Sequence, residues 1–180
     1  MESSEQLCLA CGLCCDGTLF HHVKLEPGDD AAKLKSFGLP VRTSRARIPV
    51  ARFPQPCAAL CADRTCRVYA DRPTQCRNYE CGVLKSLETG QLTATAALRV
   101  VKQARADADK IRGLLRQLGD TDENRSLNER FRRTKQRMEA GFADEATSDA
   151  FAELSLAMHY FGLLTHEKFY TRADSSPSAS

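Results

Sequence analysis

The sequence predicts an α+β fold, an irregular cysteine-rich lobe with a short strand and a hairpin, packed against a three-helix C-terminal half. Three observations point there. All nine cysteines fall between Cys8 and Cys81. Six of the seven prolines lie ahead of residue 90 and the seventh is Pro177. Beyond residue 90 the apolar residues recur with helical spacing. The expected organisation is a cysteine-cluster lobe over 1–90, a helical half over 91–170 and a disordered tail over 171–180, whose "TRADSSPSAS" is polar and lacks core-forming residues. A chain of 180 residues is long enough for one domain with a substantial core.

In order along the chain, "CLACGLCCDG" reads as a tight loop eased by Gly12 and Gly17. "LFHHVKL" alternates, with Leu19, His21, Val23 and Leu25 on one face, and suggests a short strand. "PGDDAAKLKSFG" carries Pro27 near the start and Gly38 past the end of a short helix. "RIPVARFP" is extended, and "CAALCADRTCRVY" forms a hairpin turning at Asp63-Arg64. "DRPTQCRNYECGVLKSLETG" is a turn leading into one helix that ends near Gly90.

From Ala94 the apolar positions Ala97, Val101, Ala104, Ala108, Ile111, Leu115 and Leu118 step by alternating threes and fours over more than three heptads. That is one long helix with an alanine seam that lets a neighbour approach closely. A second helix carries Leu127, Phe131, Thr134 and Met138, and a third Phe151, Leu154, Met158 and Phe161. The helices read as a hairpin or bundle packed for stability, with a dimerising coiled coil as the alternative and a protein partner as a further use of this half.

Composition narrows the function. There is no run of about 20 apolar residues, so no membrane span is expected. The N-terminal "MESSEQLCLACGLCC" has acids where a secretory signal needs a basic region, which points to the cytoplasm. Cytosolic thiols are held reduced, so a dense cysteine pattern there reads as metal-binding or catalytic rather than as disulfides; the odd count agrees. The formal charge of +3 assumes neutral thiols, and eight thiolates around two divalent ions would bring it to −1. A basic balance is therefore no argument for nucleic acid. "RSLNERFRRTKQR" reads as a solvated basic helix face, with no aromatic stacking pattern to suggest a nucleic-acid surface.

The cysteine pattern carries the chemistry. Cys8, Cys11, Cys14 and Cys15 form C-x2-C-x2-C-C, followed by Cys57, Cys61, Cys66, Cys76 and Cys81. Two intervening residues let sulfurs converge on one centre, as in structural zinc sites. The spacing of the first three equals the bacterial ferredoxin run, whose fourth ligand is distant. Adjacent residues in extended backbone point to opposite sides, so Cys14 and Cys15 would serve different centres, or one would stay out. Nine cysteines suit two four-ligand sites and one spare thiol, or one site with several unligated thiols. A nucleophilic cysteine needs a base, and only His21 and His22 lie in this half; His21 reads as a core histidine on the strand's apolar face and His22 as exposed. His159 and His166 read as structural or solvated. Arg52, Arg64, Arg67, Arg72 and Arg77 outnumber Asp63 and Asp71 around the later cysteines, and their charge would offset a buried tetrathiolate centre.

"CLACGLCC", then "PCAAL" and "CRVYADRPTQCRNYEC", resembles the YkgJ-like CxxCxxCC family of bacterial zinc- or iron-chelating cysteine-cluster proteins. Cys8, Cys11, Gly12, Cys14, Cys15, Cys57, Leu60, Cys66, Tyr69, Arg72, Pro73, Cys76 and Arg77 match its pattern, and Cys81 resembles a further cysteine after the tail. The resemblance implies metal ions as ligands, held by Cys8, Cys11, Cys14, Cys15, Cys57, Cys66, Cys76 and Cys81, with Cys61 as the spare. Two readings stand beside it: an iron–sulfur cluster of [4Fe–4S] type, serving an oxidoreductase or electron transfer, or Zn²⁺ in a structural module whose helical half, outside the shared motif, binds a protein. A flagellin lysine methylase carries a related motif, but this chain shows no glycine motif for a methyl-donor cofactor. Metal storage with exchangeable thiols is a third use. No catalytic residue is assigned.

Overall fold

The computed structural model describes residues 2–45, 47–141 and 144–171. Of the expected tail, only Thr171 is among them; 172–180 lie outside the described residues. The fold is α+β: seven α-helices among the described residues and one three-stranded antiparallel sheet. No helix among the described residues is long and apolar enough to cross a membrane. The chain divides into two compact units, one made of Met1–Cys11, Glu80–Thr121 and Arg133–Ser180, the other of Gly12–Tyr79 and Asp122–Arg132.

The first unit is helical. It holds α1 (Glu2–Cys11), α4 (Gly82–Glu88), α5 (Ala94–Gln117) and α7 (Glu145–Lys168), together with the later part of α6 (Leu127–Ala140). Local signals set the bounds of α5. Thr93 caps it by accepting the Ala96 N–H at 3.2 Å. At the far end Gly119 takes φ +81°, its N–H donates to the Arg116 carbonyl and the Asp120 N–H to that of Leu115, closing a Schellman turn. The predicted seam is the buried face from Ala97 to Leu115: Ala97, Val101, Ala104, Ala108, Ile111 and Leu115 are all buried and Leu114 joins them, while Leu118 is the half-buried C-cap residue. α7, capped by Asp144, packs against α5 with Ala150, Leu154, Phe161 and Thr165 buried. Phe151 and Met158 are only half-buried. α6 buries Leu127 and Thr134, but also Arg130, which the apolar pattern does not single out.

The head of the chain differs from expectation. The expected loop begins with helix: residues 8–11 close α1, so Cys8 and Cys11 stand one turn apart on it. The reason is a tertiary anchor: α1 packs on α4 and α5, and Arg105 Nη1 of α5 donates to the Ala10 carbonyl at 2.9 Å. That guanidinium satisfies a carbonyl at the helix end, where backbone acceptors lack intrahelical donors. The loop begins only at Gly12, whose φ of +68° ends the helix.

The second unit is built on a small sheet of order β1-β3-β2, with β1 at His22–Lys24, β2 at Arg42–Thr43 and β3 at Ala51–Pro54. Val23 pairs with Phe53, and both face a core shared with Leu34, Leu39, Val41, Ala59 and Val68. Alternation places His22, Lys24, Arg52 and Pro54 on the other face. β1 is therefore shorter than the alternating run: the extended register starts at His22. His21 precedes it and is exposed rather than a core histidine, with its Nδ1 2.6 Å from Ser126 Oγ; His22 is half-buried rather than exposed. Segment 122–132 is tied in by the Leu127 N–H, which donates to the Gly17 carbonyl at 2.8 Å.

α2 (Ala31–Ser36) is the predicted short helix, capped by Asp30. The predicted hairpin is a single antiparallel bridge, Leu60 to Cys66, turning through Arg64 at φ +69°. The helix expected up to Gly90 is two helices, α3 (Thr74–Asn78) and α4, broken by extended backbone at Tyr79 and Cys81. Cys81 caps α4, its Sγ accepting the Leu84 N–H at 3.4 Å.

Candidate metal centre

The second unit brings together four thiols from segments far apart in sequence. Cys15 lies in the turn after Gly12, where its N–H donates to the Gly12 carbonyl. The Cys57 N–H donates to the Cys15 carbonyl at 2.8 Å and joins the head to "PCAAL". Cys66 sits on the bridge opposite Leu60, and Cys76 lies within α3. Cys57, Cys66 and Cys76 all pack against the Val23–Phe53 core cluster.

Electrostatics ties the four into one set. Burial first, then the neighbouring Cys57, Cys76 and Cys66, together push the Cys15 thiol up to about 12. Burial likewise takes Cys76 up to about 12, helped by Cys57 and Cys66 and opposed by Arg72. Burial also raises Cys57, against backbone N–H donors and Arg67 that lower it. Desolvated thiols that raise one another resist ionisation unless a cation shares the charge. Soft sulfur donors without an imidazole or carboxylate in the set fit zinc or iron and disfavour magnesium or calcium. Among the described residues no three His, Cys, Asp or Glu side chains already stand at metal-ligand spacing.

The remaining cysteines are placed differently. Cys8 is exposed and Cys11 buried on α1, and Cys81 caps α4, the helix on which α1 packs. Cys14 is half-buried in the turn before Cys15. Cys61 donates its thiol to the Ala59 carbonyl at 3.9 Å.

The arginines divide in role. Arg72 lies over the Tyr69 ring at 3.7 Å, its Nε donates to the Tyr69 carbonyl, and its charge favours the Cys76 thiolate. Arg67 holds the Phe37 and Ala58 carbonyls beside Cys57. Arg64 covers Gly12, its Nη1 only 2.7 Å from where a Cβ would stand. Arg52 stands on the sheet face away from the core.

One supporting residue escaped the sequence reading. Asp29 accepts the Thr74 N–H and Oγ1–H at 2.8 Å each and the Glu26 N–H at 2.8 Å. α3 has no side-chain cap of its own, so Asp29 caps it from a distant loop and positions the turn that bears Cys76. Its signal in the sequence was Asp29 beside Asp30, of which only one caps α2. Burial raises the Asp29 carboxyl, but the three hydrogen bonds and Arg77 outweigh it and hold the group below the usual carboxylate range. Asp29→Ala is expected to cost about 2 kcal/mol, since its hydrogen bonds are made by a buried charged acceptor. The contribution stands in full above the ordinary carboxylate pKa and is lost as pH falls through the lowered one. Parallel acid titrations of stability for both proteins check it: their difference should shrink at low pH, and a constant difference contradicts the account.

A family model headed CxxCxxCC and described as a "Putative zinc- or iron-chelating domain" matches residues 7–98. The chain belongs to the CxxCxxCC family. The match spans half of the chain and takes in all nine cysteines. No curated protein and no solved structure matches the chain significantly. Membership in the CxxCxxCC family supports metal binding, with zinc or iron as the ion, and the all-sulfur donor set of the second unit fits either.

Proposed function

We propose that the protein is a thiolate metal-binding module in which Cys15, Cys57, Cys66 and Cys76 hold one centre, with zinc as the resident ion in a structural role. The observation that carries this reading is the convergence of four half-buried thiols beneath a sheet whose strands have only two to four residues. A core this small gains most from a metal staple, and a closed four-thiolate set is the usual form of structural zinc. The other donors, Cys8, Cys11, Cys14 and Cys81, belong on sequence spacing to further metal binding, with Cys61 as the spare thiol. The cytoplasm suits such a chain, because its thiols stay reduced there.

An iron–sulfur centre in an electron-transfer protein or oxidoreductase is the second reading, favoured by the all-sulfur donor set and by Arg72 beside Cys76. The placement of Cys8 and Cys11 on a helix, rather than in a loop wrapped around a cluster, weighs against a ferredoxin-like centre. Anaerobic purification followed by absorption spectroscopy and metal and sulfide analysis of one sample separates the two. A colourless protein containing zinc is expected. A brown protein with iron, acid-labile sulfide and absorption near about 400 nm overturns the zinc reading in favour of the cluster, and a folded protein with neither metal overturns both.

A further inference from the structure

The outer face of the sheet carries a second feature, separate from the thiols. A surface cavity of about 800 Å³ is lined by His21, His22, Arg42, Arg52, Glu129 and Arg132, with two prolines and an asparagine completing it. The sheet register crowds positive charge there: Arg52 of β3 pairs with Lys24 of β1 on one side and Arg42 of β2 on the other. Like charges directly opposite one another destabilise a sheet, so three cations in one row cost stability. Among the described residues none of Lys24, Arg42, Arg52 and Arg132 pairs with a carboxylate. The one acid of the lining, Glu129, is engaged by Arg125 Nη1. His21 is oriented by Ser126 through Nδ1, which leaves Nε2 as its remaining polar ring atom. The field has an internal witness as well: burial first, then Arg52, Lys24 and His21, hold the His22 ring below its ordinary pKa.

We infer that this cavity binds a small, multiply charged oxyanion through Arg42, Arg52 and Arg132. Guanidinium forks match the paired oxygens of phosphate and carboxylate alike. The volume suits a small molecule. Among the described residues no Phe, Tyr or Trp ring lines the cavity on which a nucleic-acid base could stack, which favours a compact anion over a single strand. The inference does not depend on the metal reading, because the core face and the cavity face of the sheet are opposite.

The test is titration calorimetry on the 180-residue protein as purified, at low ionic strength. One arm uses glycerol 3-phosphate as a phosphate monoester and the other tricarballylate as a non-phosphate polyanion; both chelate metals weakly. Saturable one-to-one binding is expected in at least one arm, and the arm that binds names the source of the oxyanion. R52Q and R132Q, both on exposed side chains, should each weaken it at least tenfold, while K102Q on α5 should leave it within twofold. Circular dichroism and metal content matched to the parent protein confirm that each variant is folded. Absence of saturation in both arms overturns the inference. So does equal weakening by K102Q, or binding of a single-stranded oligonucleotide in preference to both probes.

Discussion

Replacing Cys57 or Cys76 with Ser is expected to remove one full metal equivalent and to lower the thermal midpoint by about 10 °C or more, taking about 4 kcal/mol lost in a chain of this size. Each serine deletes a soft donor from a four-sulfur set that no other donor type completes, and a three-thiolate remnant binds zinc far more weakly. Metal bound only by the folded chain contributes its binding free energy to folding, and for structural zinc that is on the order of 10 kcal/mol. Most of the loss should fall on the second unit, where Cys57, Cys66 and Cys76 pack against the same core residues. Cys61→Ser is the internal comparison and should keep both metal content and midpoint. The measurement is metal analysis beside thermal melts, with and without a strong chelator. A chelated parent that melts where Cys57→Ser melts supports the staple. Full metal retention by both Cys57→Ser and Cys76→Ser excludes the quartet, and loss of an equivalent from Cys61→Ser excludes its place as the spare.

The second large effect is a glycine whose sign inverts between sequence and structure. Gly82 opens α4, where a propensity argument expects Ala to stabilise by up to about 1 kcal/mol. In the fold, a Cβ at Gly82 would stand 2.6 Å from the Lys168 carbonyl oxygen and 3.3 Å from its carbon. The close approach serves a hydrogen bond, since the Gly82 N–H donates to the Phe169 carbonyl at 2.9 Å. Backbone cannot swing aside as a side chain can, so Gly82→Ala should destabilise by about 2–4 kcal/mol, within the range of overpacking and lost backbone bonding. Gly113→Ala is the control: it lies inside α5 with nothing within 4 Å of its Cβ position, and it should stabilise by about 0.5–1 kcal/mol. Urea melts of the two variants decide the matter, and a Gly82→Ala protein as stable as the parent removes α4's docking on the end of α7 as a significant contact.

The long helices were legible because their signals are local. The three-and-four step from Ala97 to Leu115, the Thr93 cap and the Gly119 turn each lie within a few residues of what they specify. The family was legible for a similar reason: C-x2-C-x2-C-C and a later cysteine-rich tail lie within the residues that the family model matches. The reading failed where a short element depends on a distant partner. Residues 8–11 look like a loop until Arg105, far along the chain, holds the Ala10 carbonyl. His21 looks like a core residue until the register of β1 against β3 starts one position later.

By itself, then, the sequence determined the family to which these residues belong and the helices that bury an alanine seam, since each is written in spacing along the chain. Tertiary structure alone decided that Cys15 meets Cys57, Cys66 and Cys76, that Asp29 caps α3, and that Arg42, Arg52 and Arg132 line one cavity. Those meetings are set by strand register and loop closure across tens of residues. The free energy that fixes them resides in the shared core of Val23, Phe53 and their neighbours, which no local pattern records.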